Sequence, residues 1–497
     1  MRYIRVLCSL AVTCVATSAV QAQPAVYDRV ILNGRVMDPE TGLDARRNVG
    51  IRGGKVAVLA TGAIAGRDTI DASGLVVAPG FIDLHVHWHS DEGYQFAALD
   101  GVTTALELEG GVAAVAAWYA ARAGKSLVNH GASASHGGAR RDAVRTRGDL
   151  TAARTLQDSM EAANPGSYRT ATNEEIAQIV AHIAAGLRDG ALGIGMGLAY
   201  VPGAGRDEIF RVFQEAQRQG ATIFVHIRHA SLSVNQGTLD ATQEVIADAA
   251  STGASLHIVH VTSTGLRQTG VALEMIRGAR ARGVDVTTEL YPYEAASTDI
   301  RAAIFDPGWQ QRLGITEREI MWVATGERLT PENFLEHRRR GGPIVAFVIP
   351  QEAIDAALAD STVAIASDAV PLGDNSGHPR GAGTYARVLG KYVREEKKLP
   401  LMQALRRMTL VPAQRLEKWV PQMRTKGRLS VGSDADIAIF DPGKVIDRAT
   451  FDRPKQAPEG IPYVLVNGVP VVRAGAVVPN VAPGMAIRRS AAQPAQP

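Results

Sequence analysis

Two kinds of hydrophobic spacing alternate through the middle of the chain. Short apolar runs at 222–225, 255–261, 284–290 and 363–366 read as strands. Between them, stretches such as Asn173–Arg188, 207–218 and 401–407 repeat apolar positions at the three-to-four spacing of amphipathic helices. The alternation runs from Gly80 to about Trp419 and predicts an α/β fold, with a (β/α)8 TIM-type barrel as its natural closed form. The ends read differently. Residues 30–32, 49–51, 56–59 and 75–77 are strand-like pieces set apart by the turn signals Asn33-Gly34, Gly53-Gly54 and Ser73-Gly74. Near the other end, 436–440 and 463–466 are strand runs, and Asn467-Gly468 is a hairpin signal before 469–472. Neither end can bury a core alone, so both are expected to form one small β-sandwich domain. The expected division is a leader at 1–22, the sandwich at 23–78 and 421–483, the barrel at 79–420, and a disordered tail at 484–497. No internal repeat is present.

Composition narrows the class. The chain has 497 residues, 46% hydrophobic and 21% charged, which is that of a folded globular protein. A formal charge of +3 lacks the basic excess of a nucleic-acid binder. Arg2 and Arg5, the mostly apolar run 6–16, and a small-residue end at Ala22 have the layout of a secretory signal peptide. Export is therefore expected, to the periplasm if the source is Gram-negative. The two cysteines, Cys8 and Cys14, both lie in that leader and lack a lipobox-like context. The mature chain would hold no cysteine, which removes disulfides, thiol nucleophiles and thiolate metal ligands together. No later run reaches the ~18 apolar residues of a membrane span. The expected partner is a small-molecule amide substrate, and a homo-oligomer stays open.

Candidate chemistry gathers at strand ends. His85 and His87 close the apolar run 80–84, and their period-2 spacing turns both rings the same way, toward one metal ion. His226, His260 and Asp368 each follow an apolar strand run, where barrel active sites are assembled. One H-x-H is a weak signal; four such placements are a strong one. Tyr291, Arg380 and Arg387 are candidates to hold a substrate carboxylate, since a guanidinium fork matches it bidentately. His130 and His136 lie in a polar glycine-rich loop that could line the pocket. His229 and His257 read as packing or support residues, and His182 and His337 as helix-surface residues.

These residues bring a family into view. The chain resembles the amidohydrolase superfamily and, within it, the N-acyl-D-amino-acid deacylase (D-aminoacylase-like) branch. Residues 80–87 are similar to the superfamily's first-strand signature and Gly101-Val102-Thr103-Thr104 to its second strand. The glycine-rich segment 190–203, Leu290-Tyr291-Pro292-Tyr293, and 378–390, with His378-Pro379-Arg380 and Arg387-Val388-Leu389-Gly390, are closer to the branch. Residues 405–416 and 426–436 resemble the exit from the barrel. The resemblance implies metal ligation by His85, His87, His226 and His260, one or two Zn²⁺ ions (other divalent metals remaining open), and Asp368 as carrier of the attacking water's proton. The implied reaction is hydrolysis of an amide in an N-acyl amino acid or dipeptide-like substrate. A peptidase, cyclic amidase or lactonase of the same superfamily is the alternative, and a barrel-based binding protein without catalysis is the non-enzyme alternative. The branch's bridging cysteine is missing. Glu109 lies nearest its position and Glu107 shares its strand parity, so one of these acids is expected to replace it. Val261-Thr262-Ser263-Thr264 stands where the branch commonly has a lysine, and His89 where an acidic residue is usual.

Overall fold

The structure, a computed structural model, describes residues 26–145, 155–233 and 235–489. The expected leader and residues 490–497 lie outside the described residues. Eight parallel strands form the barrel: β1 (Phe81–Asp83), β2 (Val102–Val112), β3 (Asn129–Ser135), β4 (Gly193–Gly197), β5 (Thr222–His226), β6 (Ser255–Ile258), β7 (Val286–Leu290) and β8 (Ala364–Ile365). They pair in chain order from β1 to β8. Closure comes just past the ends of β1 and β8, where Val86 bridges Ala369 in parallel. There the His87 N–H donates to the Ala369 carbonyl at 2.7 Å.

Helices follow their patterns closely. Asn173–Arg188 buries Ile176, Ile179, Ile183 and Leu187 along one face, and a reciprocal capping box between Thr172 and Glu175 fixes its start. Inside the barrel, Ile82, Leu84, Leu106, Leu108 and Phe224 form an apolar core with Ala413, Leu416 and Met423. The residues expected to begin a tail belong to this core. The Ile487 N–H donates to the His130 carbonyl at 2.8 Å, the His130 N–H to the Met485 carbonyl at 3.0 Å, and Ile487 is fully buried. Residues 484–489 are thus a packed strap; the backbone groups of Gly484, Met485 and Ile487 find partners around the start of β3, at Ser126, Asn129 and His130, and those of Arg488 and Arg489 at Gln422 and Gly190.

The two chain ends share one nine-stranded sheet, and both contribute to an apolar core that includes Ile31, Val49, Ile437 and Leu465. Val76–Pro79 pairs antiparallel with Ile437–Phe440, opposing Pro79 to Ile437. Asn33-Gly34 makes no hairpin: it is an irregularity within the long strand Tyr27–Asp38, with Asn33 at φ 65°. The hairpin at Asn467-Gly468 forms with both residues at positive φ, at 48° and 79°. Buried Asp436 locks this sheet to the barrel, accepting from Lys426 Nζ at 2.7 Å, Asn129 Nδ2 at 3.0 Å and the Asn467 N–H at 2.7 Å.

Simple alternation hid an insertion between β7 and β8. It holds a three-stranded antiparallel sheet of Ala296–Asp299, Pro343–Ala346 and Ile320–Trp322. Phe305, Trp309, Trp322 and Phe334 give it a core of its own. Its first strand borders the chemistry at the strand ends: Arg380 Nη2 donates to the Ser297 carbonyl at 3.4 Å.

Candidate active site

The two first-strand histidines are each held from behind. His85 Nδ1–H donates to Glu289 Oε1 at 2.6 Å, and His87 Nδ1–H to Glu107 Oε2 at 2.9 Å. Both tautomers then leave a lone pair on Nε2, and these two nitrogens face each other at 3.0 Å. Two lone pairs so close repel unless a cation or a proton lies between them.

Glu109 joins the rest. Its Oε2 is 3.3 Å from His85 Nε2 and 3.0 Å from His87 Nε2, while its Oε1 is 2.7 Å from His226 Nδ1 and 3.3 Å from His260 Nε2. One carboxylate therefore offers an oxygen to each of two histidine pairs. Asp368 completes the group, with Oδ1 3.5 Å from both His85 Nε2 and His87 Nε2. Its Oδ2 pairs with Arg380 Nη1 at 2.9 Å. His260 and Asp368 both occupy left-handed backbone, at φ 29° and 53°. This is an unfavourable region for side-chain-bearing residues, and it aims each side chain into the site.

Electrostatics make the same point. Burial pushes the His87 ring down, but Glu107 and Glu109 outweigh it and raise it to about 10. Burial likewise opposes ionisation of Glu109, yet the His85 charge and hydrogen bonds from His226 and His260 hold it well below the usual carboxylate range. Four buried acids, Glu107, Glu109, Glu289 and Asp368, draw positive charge to the centre. The ligand-type atoms of His85, Glu109 and His260, and those of His85, His87 and Asp368, each lie within 4.8 Å of one another. The donor set, its facing lone pairs and its excess of acid fit divalent cations.

The amidohydrolase family description matches residues 68–472. The chain belongs to the amidohydrolase family. This amidohydrolase is 30% identical to an N-acyl-D-glutamate deacylase of Alcaligenes xylosoxydans xylosoxydans, over 93% of this chain and 97% of the relative. It is also 30% identical to a D-aminoacylase of the same organism, over 91% and 96%. The crystal structure of an N-acyl-D-glutamate deacylase from Bordetella bronchiseptica, complexed with zinc and a phosphonate mimic of the tetrahedral intermediate, superimposes with a TM-score of 0.76 at 27% identity, over 93% of this chain and 100% of that one. A D-aminoacylase structure gives a TM-score of 0.77 at 24% identity over 93% and 100%, supporting the barrel with its added domain. The amidohydrolase is thus a hydrolase of carbon–nitrogen bonds, as the resemblance implied, and not a binding protein on a barrel scaffold.

The structure sorts the remaining candidates. Glu107 lies beside the centre: its Oε2 holds His87, and its Oε1 accepts from the Gly110 and Gly111 N–H groups at 3.1 and 3.3 Å. Tyr291 and Arg380 are buried in the site, the guanidinium 4.8 Å from the ring centroid, and neither the Tyr291 hydroxyl nor Arg380 Nε has a hydrogen-bond partner among the described residues. Four expectations fail. His130 begins β3 at the opposite end of the barrel, its ring 5.8 Å from Trp118, and takes no part in the site. Arg387 is tied to the Pro292 carbonyl at 2.8 Å and Asp447 at 3.0 Å, so its fork is already occupied. His136 is likewise spent, on Glu208 at 2.7 Å. His337 packs 4.3 Å from Trp322 rather than on an open surface. His257 is a support residue, bonded to Glu289. Glu289 was missed by the sequence reading; its one signal was an acid near the carboxyl end of a barrel strand. Tyr200 was missed too. It lies within the glycine-rich segment, with its ring 5.0 Å from His226.

Proposed function

We propose that this amidohydrolase cleaves the amide bond of an N-acyl-D-amino acid with the help of one or two Zn²⁺ ions. The observation that carries the reading is Glu109, whose two oxygens each meet a separate pair of histidines. His85, His87 and Asp368 with one oxygen of Glu109 would hold one ion, and His226 and His260 with the other oxygen a second. Bound zinc lowers the pKa of water and polarises the scissile carbonyl. Asp368 lies where it can take the proton of the attacking water and deliver it to the leaving nitrogen. Arg380 pairs with the outer oxygen of Asp368 and keeps that carboxylate turned toward the two histidines. The unpartnered Tyr291 hydroxyl and Arg380 Nε suit the carboxylate of the amino-acid half, which is thereby held with its amide next to Asp368.

The D-configuration and the acyl linkage are supported by the relatives, which carry those names at 29–30% identity over nearly the whole chain. The test pairs metal analysis with a substrate screen. The purified protein is expected to hold one or two zinc ions, to lose activity on chelation and regain it with zinc, and to prefer N-acyl-D- over N-acyl-L-amino acids. Full activity in metal-free protein would overturn the proposal, and preference for the L-series would overturn its stereochemistry.

A further inference from the structure

Glu289 has an unusual position for a carboxylate. It lies on β7 and reaches His85 on the extension of β1, strands separated by β8, so the contact crosses the barrel lumen. Barrel interiors are normally filled by Val, Ile and Leu, and an ionised acid there is costly unless every oxygen is engaged. Both oxygens are engaged. Oε1 accepts from His85 Nδ1–H at 2.6 Å, and Oε2 from His257 Nε2–H at 3.1 Å. His257 is oriented in turn: its Nδ1 accepts from the Thr287 hydroxyl at 2.7 Å, and the parallel register of β6 and β7 sets His257 beside Thr287. Glu107, the acid behind His87, is anchored by the backbone N–H groups of Gly110 and Gly111. Among the described residues Glu289 has no such backbone anchor, and the imidazole of His257 takes that place.

We infer that Glu289 and His257 are positioning residues of the metal site. Glu289 fixes the tautomer and ring plane of His85, and His257 fixes Glu289. The inference rests on the zinc reading above. Were His85 to carry its proton on Nε2, that nitrogen would donate to Glu109 and could not ligate. Glu289 disfavours this tautomer by accepting a hydrogen bond from the Nδ1–H, and partners of this kind are worth about 10- to 100-fold in metal affinity.

The test uses the full-length protein loaded with Zn²⁺ or Co²⁺. Zinc affinity is measured by competition with a chromophoric chelator, the visible spectrum of the cobalt form reports ligand geometry, and kcat and KM are read separately. Glu289→Gln is isosteric, but its amide nitrogen facing either imidazole forces a change of tautomer. It is expected to bind zinc about 10- to 100-fold more weakly, to change the cobalt spectrum, and to lower kcat with KM little altered. His257→Leu should move the same readouts in the same direction. His257→Gln, which can still donate to Glu289, should recover most of the affinity. Zinc affinity and a cobalt spectrum like the parent's in Glu289→Gln would overturn the inference, and so would His257→Gln behaving no better than His257→Leu. Should Glu289→Gln fail to fold, the two His257 variants decide. A parent protein that takes up no zinc would instead overturn the metal reading on which this rests.

Discussion

Glu107 and Glu109 stand two positions apart on β2, yet their carboxylates serve different atoms. Glu109 touches four imidazoles, while Glu107 touches one and is held by two backbone amides. The difference predicts how their amide variants diverge. Glu109→Gln removes a charged ligand from both proposed ion positions and should lose most of its zinc together with activity. Glu107→Gln leaves every ligand in place and loosens only the His87 ring, so it should retain zinc with an affinity loss on the order of 10-fold. Zinc per chain in the two variants checks the order; equal, unchanged zinc contents would remove Glu109 from the metal site. This distinction could not be read from strand parity, which the two acids share, because the register of β2 against β3 shifts after Glu107. The five histidine and aspartate positions were legible because each follows an apolar strand, which in a barrel places it at the catalytic end. His130 misled because it stands at the start of its strand, and Arg387 because its partner Asp447 lies in the distant C-terminal part of the chain.

Between elements, one buried cluster outside the site joins two helices. Glu208, in the first turn of Arg206–Gln219, accepts from His136 Nε2 at 2.7 Å and pairs with Arg140, both on His136–Ala143. Burial works against the ionised form of Glu208, but His136 and Arg140 outweigh it and hold its carboxyl below the usual range. A depressed carboxyl contributes stability that is complete above the unfolded value of about 4.3 and is lost as pH falls through the folded value. Glu208→Gln is therefore expected to destabilise the protein by about 3 kcal/mol near pH 7, since it leaves a buried guanidinium without its counter-charge. The gap between the variants' unfolding midpoints should narrow below about pH 4. A gap that stays constant from pH 7 to pH 3.5 would show that the ion pair is not its source. At this scale the sequence was read well where one pattern governs one element, as in Asn173–Arg188, whose bounds match the apolar spacing. It was read poorly where tertiary pairing decides. Asn33-Gly34 carries a turn signature, but its neighbours on both sides stay in one strand because Gly34 lets Val77 pack where a Cβ would collide. The insertion after β7 went unseen because its short strands resemble barrel strands in composition and differ only in what they pair with.

Across the whole molecule, the chemistry and an apolar plug occupy opposite ends of the barrel. The candidate ligands sit at the carboxyl ends of the strands, while the far end is sealed by Leu416, Met423 and the strap residue Ile487. The Tyr119 hydroxyl also donates to the Ile487 carbonyl at 2.7 Å. Ending the chain after Pro483 removes that seal, and burial of an isoleucine is worth about 1.5–3 kcal/mol. The truncated protein should unfold at a lower temperature and keep the zinc content of the full chain. An unchanged midpoint would show the strap to be dispensable, and lost zinc would show that the two ends of the barrel are coupled.

The sheet built from both chain ends also imposes an order in time. Lys55 and Asp434, joined by a bridge beside that sheet, lie 379 positions apart in the chain. During synthesis the amino-terminal strands leave the ribosome with the exposed edge of Val76–Pro79 waiting for Ile437–Phe440, and everything between must be made before that edge is covered. At about 5–20 residues per second the wait lasts tens of seconds, far longer than a hairpin needs to form. The nascent chain thus carries an open, aggregation-prone strand edge for most of its translation, until Ile437–Phe440 is made and covers it.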